Sequence, residues 1–475
     1  MLWRLNYSAN FIAFLKAINV ETIASEMTFG ISRDAGAFEW SGTSGSALFA
    51  QPENALKPSF WRMIFDIIRF NQFALDLLSI KQGSSSTITA ETSIGEYLKK
   101  EGYSDAFRDD YLIPMTACVW STGADKCALE FPALTLVRFM WNHHLLTTIS
   151  ERPPWLTIGG GARHYIDAVI KECSKTHIHL STSVDSLTRK EGRVQLNITS
   201  KGRSRSEVFD EVILACHGDQ ARHIVGSSAT PDEASILAAF ETTPNMAYLH
   251  SDLSLMPKRR SAWSAWNYLT TSEPPPKQSN ANPSGSLQTV SLTYNMNILQ
   301  SLPVEDFSDV LVTLNPENPP DPALTQASCS YRHPLYNARM IAAQENLEQI
   351  QGKRGVWYAG AWTGYGFHED GFSSGMRVGL RLDGNVPWEV KNAKFSRGVT
   401  PVLGWKDYVV RVLVMVMQIW IGLLERVLGM RRGGATQKTS LNGVVNGIGN
   451  GHANGHANEN ANVNRSAGGK KKKVM

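Results

Sequence analysis

The chain has 475 residues, 42% hydrophobic and 19% charged, enough to bury two or three interleaved domains rather than one simple core. The net charge of +4 owes much to four consecutive lysines, Lys470 to Lys473, so the composition does not indicate a nucleic-acid binder. Five scattered cysteines with no CxxC pair argue against a disulfide framework or a metal site, and point to reduced thiols in an intracellular compartment.

Phe11, Phe14, Leu15 and Ile18 are spaced for one face of a helix, while Arg4, Asn6, Asn10 and Lys16 break any signal-peptide pattern. Thr28 to Ser32 and Ala37 to Ser41 read as strands around a turn at Arg33-Asp34-Ala35-Gly36. Helical spacing follows from Pro58 to about Leu78, from Ile94 through Tyr103 to Tyr111, and from Pro132 to about Leu146. The loop Ser84 to Thr87 separates the first two. Ile178 to Leu180, Ser183 to Arg189 and Val194 to Thr199 alternate like strands. Phe209 to Cys216 reads as one buried parallel strand. Further strands are expected within 245–270 and 286–314, around a loop at 272–284. Gly355 to Ala361 reads as a last strand and Ser373 to Leu382 as a helix. Strands that alternate with helices and return late in the chain predict an α/β nucleotide-binding fold interrupted by a substrate domain.

From Tyr408 to Leu428 the sequence is almost wholly apolar, with Arg411, Gln418 and Glu425 recurring every seven residues on one helix face. Two readings of 405–430 stand: a helix at a membrane interface, flanked by Trp405, Trp420, Arg426, Arg431 and Arg432, or a helix docked on the protein itself. Beyond Gly433 the chain is Asn-, Gly- and Ala-rich and is expected to be disordered. His452 and His456 there are an incidental repeat rather than metal ligands.

The chemistry concentrates between Gly355 and Gly379. A buried strand ends at Ala359-Gly360, a glycine-rich loop follows, and a helix starts near Asp370-Gly371. Small residues let backbone approach a flat or phosphorylated ligand, and a helix start turns N–H groups and a positive dipole end toward it. The run Asp370-Gly371-Phe372-Ser373-Ser374-Gly375 resembles the C-terminal flavin motif of the flavin-containing amine oxidase and phytoene desaturase superfamily, with Asp for the usual Glu and Phe for the usual Ala. The sequence is most similar to one branch, the predicted NAD/FAD-binding proteins associated with cyclopropane fatty acid synthases. Phe60-Trp61-Arg62-Met63, Asp109 to Met115, Ala117 to Thr122, Val212 to Gln220, Leu253 to Pro257 and Gly364 to Gly371 carry that likeness, over about residues 7 to 382.

The resemblance implies an α/β, Rossmann-like FAD-binding domain, incomplete at its N-terminus, with an inserted α+β substrate domain. It divides the chain into a remnant segment at 1–50, helical substrate-domain residues 51–150, FAD-domain residues 151–230, a substrate-domain sheet at 231–345 and the flavin motif at 346–390. It implies bound FAD, held by Gly160, Gly161, Val184, Gly360, Ala361, Asp370, Gly371, Ser374 and Gly375. His368 and Glu369 are the acid/base candidates, with His217 a lesser one. Trp263, Trp266 and Tyr365, with Tyr268, Trp362 and Phe367, are the substrate candidates, because flavin oxidation of a C–H bond needs a dry site. Aromatic packing of a sheet core stands beside that reading. The expected activity is hydride transfer to flavin from a lipid acyl chain, with an amine as the second substrate class. The expected partners are that small-molecule or lipid substrate and a membrane surface at 405–430, with no nucleic acid. The family's strand–Gly-x-Gly-x-x-Gly–helix unit is absent from the first fifty residues, and Gly159-Gly160-Gly161 lacks its spacing. The sequence therefore reads as starting inside the family's domain, either as an incomplete enzyme or as a binding protein without cofactor.

Overall fold

The computed structural model describes residues 3–4, 9–79, 89, 92–120, 127–147, 153–172, 178–272 and 290–427. The loop read at Ser84 to Thr87, nearly all of that at 272–284, and the tail beyond 433 with His452, His456 and the lysine run lie outside them. Met1–Ile419 forms one compact unit and Trp420–Met475 a second.

A mixed seven-stranded sheet dominates the first unit, in the order β14 (Thr325–Pro334), β10 (Thr242–His250), β13 (Leu311–Leu314), β12 (Val290–Asn295), β11 (Trp266–Thr270), β3 (Phe29–Arg33) and β4 (Phe38–Ser41). All its neighbours are antiparallel except β11 and β3, which run parallel with Trp266 opposite Phe29. Segments more than two hundred residues apart therefore share one core. The central strand β11 is buried at four of five positions, whereas β14 lies at an edge and is largely exposed, as expected for strands covered on two faces and on one. The β3–β4 hairpin turns at Asp34, Ala35 and Gly36, all with φ between +52° and +91°, a conformation natural to Gly and strained for Ala.

Two smaller sheets are antiparallel. One is β1 (Trp3–Arg4), β5 (Trp155–Ile158) and β2 (Thr22–Ser25); the other is the meander β6 (Thr182–Lys190), β7 (Arg193–Ser200) and β8 (Arg203–Phe209). The last sheet is a parallel pair, β9 (Val212–Leu214) and β15 (Val356–Tyr358), with Val212 opposite Val356. The single strand read from Phe209 to Cys216 is thus corrected. Phe209 ends the meander, the polar pair Asp210-Glu211 turns the chain, and only 212–214 enters the parallel pair. Ile178 to Leu180 is not a strand: Leu180 and Ile178 are exposed, and strand pairing begins only at Thr182.

Helices of seven residues or more, in chain order, are α1 (Ala9–Ala17), α2 (Pro58–Phe73), α3 (Ile94–Glu101), α4 (Ile113–Trp120), α5 (Ala133–Asn142), α6 (Arg163–Glu172), α7 (Gly218–Val225), α8 (Pro231–Leu237), α9 (Ala338–Asn346), α10 (His368–Arg381) and α11 (Trp405–Val427). The helix read from Ile94 to Tyr111 is broken. Ser93 and Glu96 form a reciprocal capping box at its start, and Gly102 ends it at φ +66°. The chain then winds through a π turn, Arg108–Leu112, into α4. Helices α2 to α5 and the large sheet share one apolar core through Phe60, Phe70, Leu136, Tyr268 and Leu292.

Candidate functional site

β15 delivers the chain to Gly360, whose φ of +142° excludes a side chain; a Cβ there would also lie 2.5 Å from the Trp362 ring. The following loop is held from three sides. Trp362 Nε1 donates to the Cys216 carbonyl (2.8 Å), tying it to the β9–α7 crossover. Gln344 Nε2 of α9 donates to the carbonyls of Trp362 (2.8 Å) and Gly364 (2.7 Å). Gly360 N–H donates to Ser374 Oγ (2.8 Å), which donates in turn to the Gly371 carbonyl (2.7 Å). Ala361 and Ser374 thus sit where strand end and helix meet.

α10 begins at His368, five residues before the helix read at Ser373, because Asp370 caps it: the Phe367 N–H donates to Asp370 Oδ2 (3.0 Å). Gly364 and Gly366 are explained by this packing, since a Cβ would lie 2.3 Å from Asp370 Oδ1 and 2.6 Å from the Tyr336 hydroxyl respectively. Gly371 and Gly375 are not. A Cβ on Gly371 would make ordinary contact with Ala361, and one on Gly375 would meet nothing within 4 Å.

Glu369 is fully buried and engaged. It accepts from Phe11 N–H (2.8 Å), Asn10 Nδ2 (2.8 Å) and Ser373 Oγ (2.7 Å), and Asn10 also binds both backbone groups of Lys391. Burial raises its pKa, and these donors oppose the rise. The side chain braces α1 against α10. His368 stacks on Phe11 (5.7 Å between centroids), and burial pushes it down to about 4, so its ring is neutral at physiological pH.

Phe11 also makes an edge contact with Tyr165 of α6 (5.7 Å). That contact brings the Gly159-Gly160-Gly161 turn, which feeds α6 from β5, to the same side as His368. Gly160 and Gly161 have φ of +72° and +89°. A Cβ on Gly160 would strike the His164 ring, whereas Gly161 faces open space. Val184 lies half-buried in the β6–β8 meander, a separate sheet. His217 precedes α7, its N–H donating to Gln220 Oε1 (3.1 Å).

Of the aromatic candidates, Tyr365 and Phe367 belong to a dry wall around the glycine loop. Phe139 of α5 stacks on Phe367 (5.2 Å), Trp120 packs on Phe139 (4.6 Å), and Trp120 Nε1 donates to the Tyr365 carbonyl (3.1 Å). His143 packs on Phe139 and Phe367. Burial, with Asp370 nearby, raises the Tyr365 phenol's pKa. Trp266 is buried between Phe29 and Tyr294 in the large sheet, and Trp263 is only half-buried, donating to the Pro257 carbonyl (2.7 Å). Phe139 and Tyr336 escape sequence reasoning because no motif surrounds them, and Trp120 lies in the Ala117 to Thr122 block without an assigned role; only the fold brings them to the loop.

Tyr336 bears on what could bind. Its ring is buried against Phe131, its hydroxyl lies beside Gly366, and that hydroxyl has no hydrogen-bond partner among the described residues. An orphaned buried donor is costly unless a ligand acceptor meets it. A ring acceptor of a flavin set among these aromatic walls would satisfy it; the open space at Gly375 lies about two turns further along α10. The pyrophosphate end lacks its counterpart, since no Gly-x-Gly-x-x-Gly occurs in the sequence and the parallel pair has no third strand among the described residues.

No protein-family model matches this sequence, and no curated protein matches it. Solved structures do. Putrescine oxidase bound to putrescine has a TM-score of 0.50 at 11% identity, with 80% of this chain and 86% of that one covered. A CLA-producing fatty acid isomerase from P. acnes has a TM-score of 0.48 at 13% identity, over 80% and 86%. Cyclohexylamine oxidase from Brevibacterium oxydans IH-35A has a TM-score of 0.46 at 12% identity, over 78% and 85%. At such identities the likeness is one of fold, and the putrescine oxidase match carries it: the chain has the mixed α/β fold of that oxidase.

Proposed function

We propose that this chain is an FAD-dependent oxidoreductase of the amine-oxidase-like kind that oxidises or desaturates a lipid acyl chain. The observation that carries the reading is the buried strand, glycine loop and helix start at 356–375, with an orphaned buried tyrosine hydroxyl beside Gly366 and an aromatic wall around it. A flavin held there would supply the hydride acceptor. The chain's own residues exclude water through Trp120, Phe139, Tyr365 and Phe367, and offer the Tyr336 O–H to a ring acceptor.

The wall favours an uncharged substrate. An ammonium group would need a carboxylate to meet it, yet Glu369 braces α1 and Asp370 caps α10. That supports an acyl chain over an amine, and it suits a protein that meets its substrate at a membrane surface through 405–430.

A second reading is a membrane-associated binding protein without cofactor, favoured by the long apolar helix at Trp405–Val427. Visible absorbance of the purified full chain, followed by titration with FAD, FMN and riboflavin, separates the two. Flavin bands, or quenching of flavin fluorescence on titration, support the oxidoreductase; a colourless protein that binds none of the three overturns it. Anaerobic mixing of the loaded protein with phospholipid or with putrescine then tests the substrate. Bleaching by the amine alone would remove the acyl-chain assignment.

A further inference from the structure

The helix α11 is mounted inside out. From Tyr408 to Leu424 its only charged residue is Arg411, and that charge is turned inward. The Arg411 guanidinium donates to the Gln72 carbonyl and to Asp76 (2.9 Å), and lies over the Phe73 ring (5.1 Å). Val414, one turn on, is 4% exposed. Gln418, a further turn on, lines a cavity of about 390 Å³ with Arg69, Phe73, Glu101 and Tyr103. Positions 411, 414 and 418 form one stripe, and that stripe faces the end of α2.

What remains outside is apolar. Val409, Val412, Leu413, Val416, Ile419 and Trp420 are each between 48% and 64% exposed. A surface helix of a water-soluble fold presents the reverse arrangement, apolar stripe inward and polar face to water. Trp405 stands exposed at the start and Lys406 beside it, while Arg426 closes the far end, the residue types that sit at a headgroup boundary.

We propose that α11 is a monotopic membrane anchor, lying in the plane of one leaflet with its polar stripe on its own fold and its apolar face among acyl chains. The proposal rests on the membrane part of the functional reading and is independent of the flavin part. By length and composition this helix could cross a bilayer. The docked stripe decides against it: a crossing helix would carry Arg411 and its partner Asp76, whose side chain is 57% exposed, into hydrocarbon. The uncharged outward face fits lipid better than a partner protein, which would need polar groups to fix register.

Flotation of the full chain with phosphatidylcholine vesicles, with and without added phosphatidylserine, tests the proposal without reading flavin. Wild type is expected to float. The double variant Val412→Asp/Val416→Asp is expected to bind at least about tenfold more weakly, at two charges placed in hydrocarbon, with circular dichroism and thermal midpoint unchanged. The milder Val412→Ser/Val416→Ser is expected to fall between. A C-terminal tag on wild type bound to sealed vesicles is expected to stay open to protease. A tag that becomes protected shows crossing and overturns the in-plane geometry. Wild type that never floats, or that forms a dimer split by the aspartates without floating, overturns the anchor.

Discussion

Glu369 shows how a residue in a motif can serve the fold. Its carboxylate has no exposure and three donors, two of them from α1, so removing it strands the Phe11 N–H and part of the Asn10 amide in a dry site. Hydrogen bonds to a charged group contribute about 1.5–3 kcal/mol each, and orphaned donors add to the loss. Glu369→Ala should therefore lower unfolding free energy by about 3 kcal/mol in urea titration, and Glu369→Gln, which keeps one acceptor, by about half that. A Gln variant as stable as wild type but unable to reduce flavin would make this residue a base instead of a brace. Tyr336 should behave in the opposite way. Its buried hydroxyl lacks a partner, so Tyr336→Phe should stabilise the ligand-free chain by about 1 kcal/mol while weakening riboflavin binding about tenfold. Lower stability in the variant would mean that the hydroxyl is already satisfied by the protein.

At the scale of elements, the large sheet holds a directional hydrogen-bond chain across three strands. Thr293 on β12 donates to the Leu255 carbonyl (2.7 Å), which leaves its oxygen to accept from Thr313 on β13 (2.7 Å). Thr313 therefore accepts from His250 Nε2 on β10 (2.6 Å), and His250 Nδ1 accepts from the Asp252 N–H (3.1 Å). Only the neutral ring with its proton on Nε2 satisfies every link. Burial accordingly lowers the His250 pKa below the value of about 6.5 in an unfolded chain. Because the unfolded chain gains a proton that the folded one resists, this contribution is complete above pH 6.5 and is lost as pH falls below it. Urea midpoints at pH 8 and pH 5.5 should differ less for His250→Gln than for wild type; equal differences would place the pH dependence elsewhere. Sequence alone shows much of this architecture but not its pairing. The β3–β4 hairpin, the start of α2, β6, β7 and the α11 boundary at 405 are legible because local periodicity and turn chemistry set them. β8 is not, since Arg203–Phe209 is an exposed strand with no apolar alternation, and β14 (Thr325–Pro334) is exposed with only the weak alternation of Ala327, Cys329 and Tyr331 to betray it. At the site, the glycine loop is legible for its composition, whereas the Asn10–Glu369 brace joins residues 359 positions apart and no local signal announces it.

The whole first unit should unfold as one body. Its large sheet is assembled from 29–41 and 242–334, and its candidate site from Asn10, Cys216, Tyr336, Gln344 and 360–375. No continuous stretch carries either, so losing one strand pairing removes support from the other. Ligand binding must then be felt everywhere at once: a flavin at about a hundred times its dissociation constant adds about 2.7 kcal/mol to the folded state. For a unit of this size that corresponds to a rise of about 3 °C in midpoint. Differential scanning calorimetry of the full chain, with and without riboflavin, should show a single main transition that moves as a whole. Two transitions of which only one moves would instead mean that the flavin half and the sheet half are separable, and that the parallel pair β9–β15 melts independently of the large sheet.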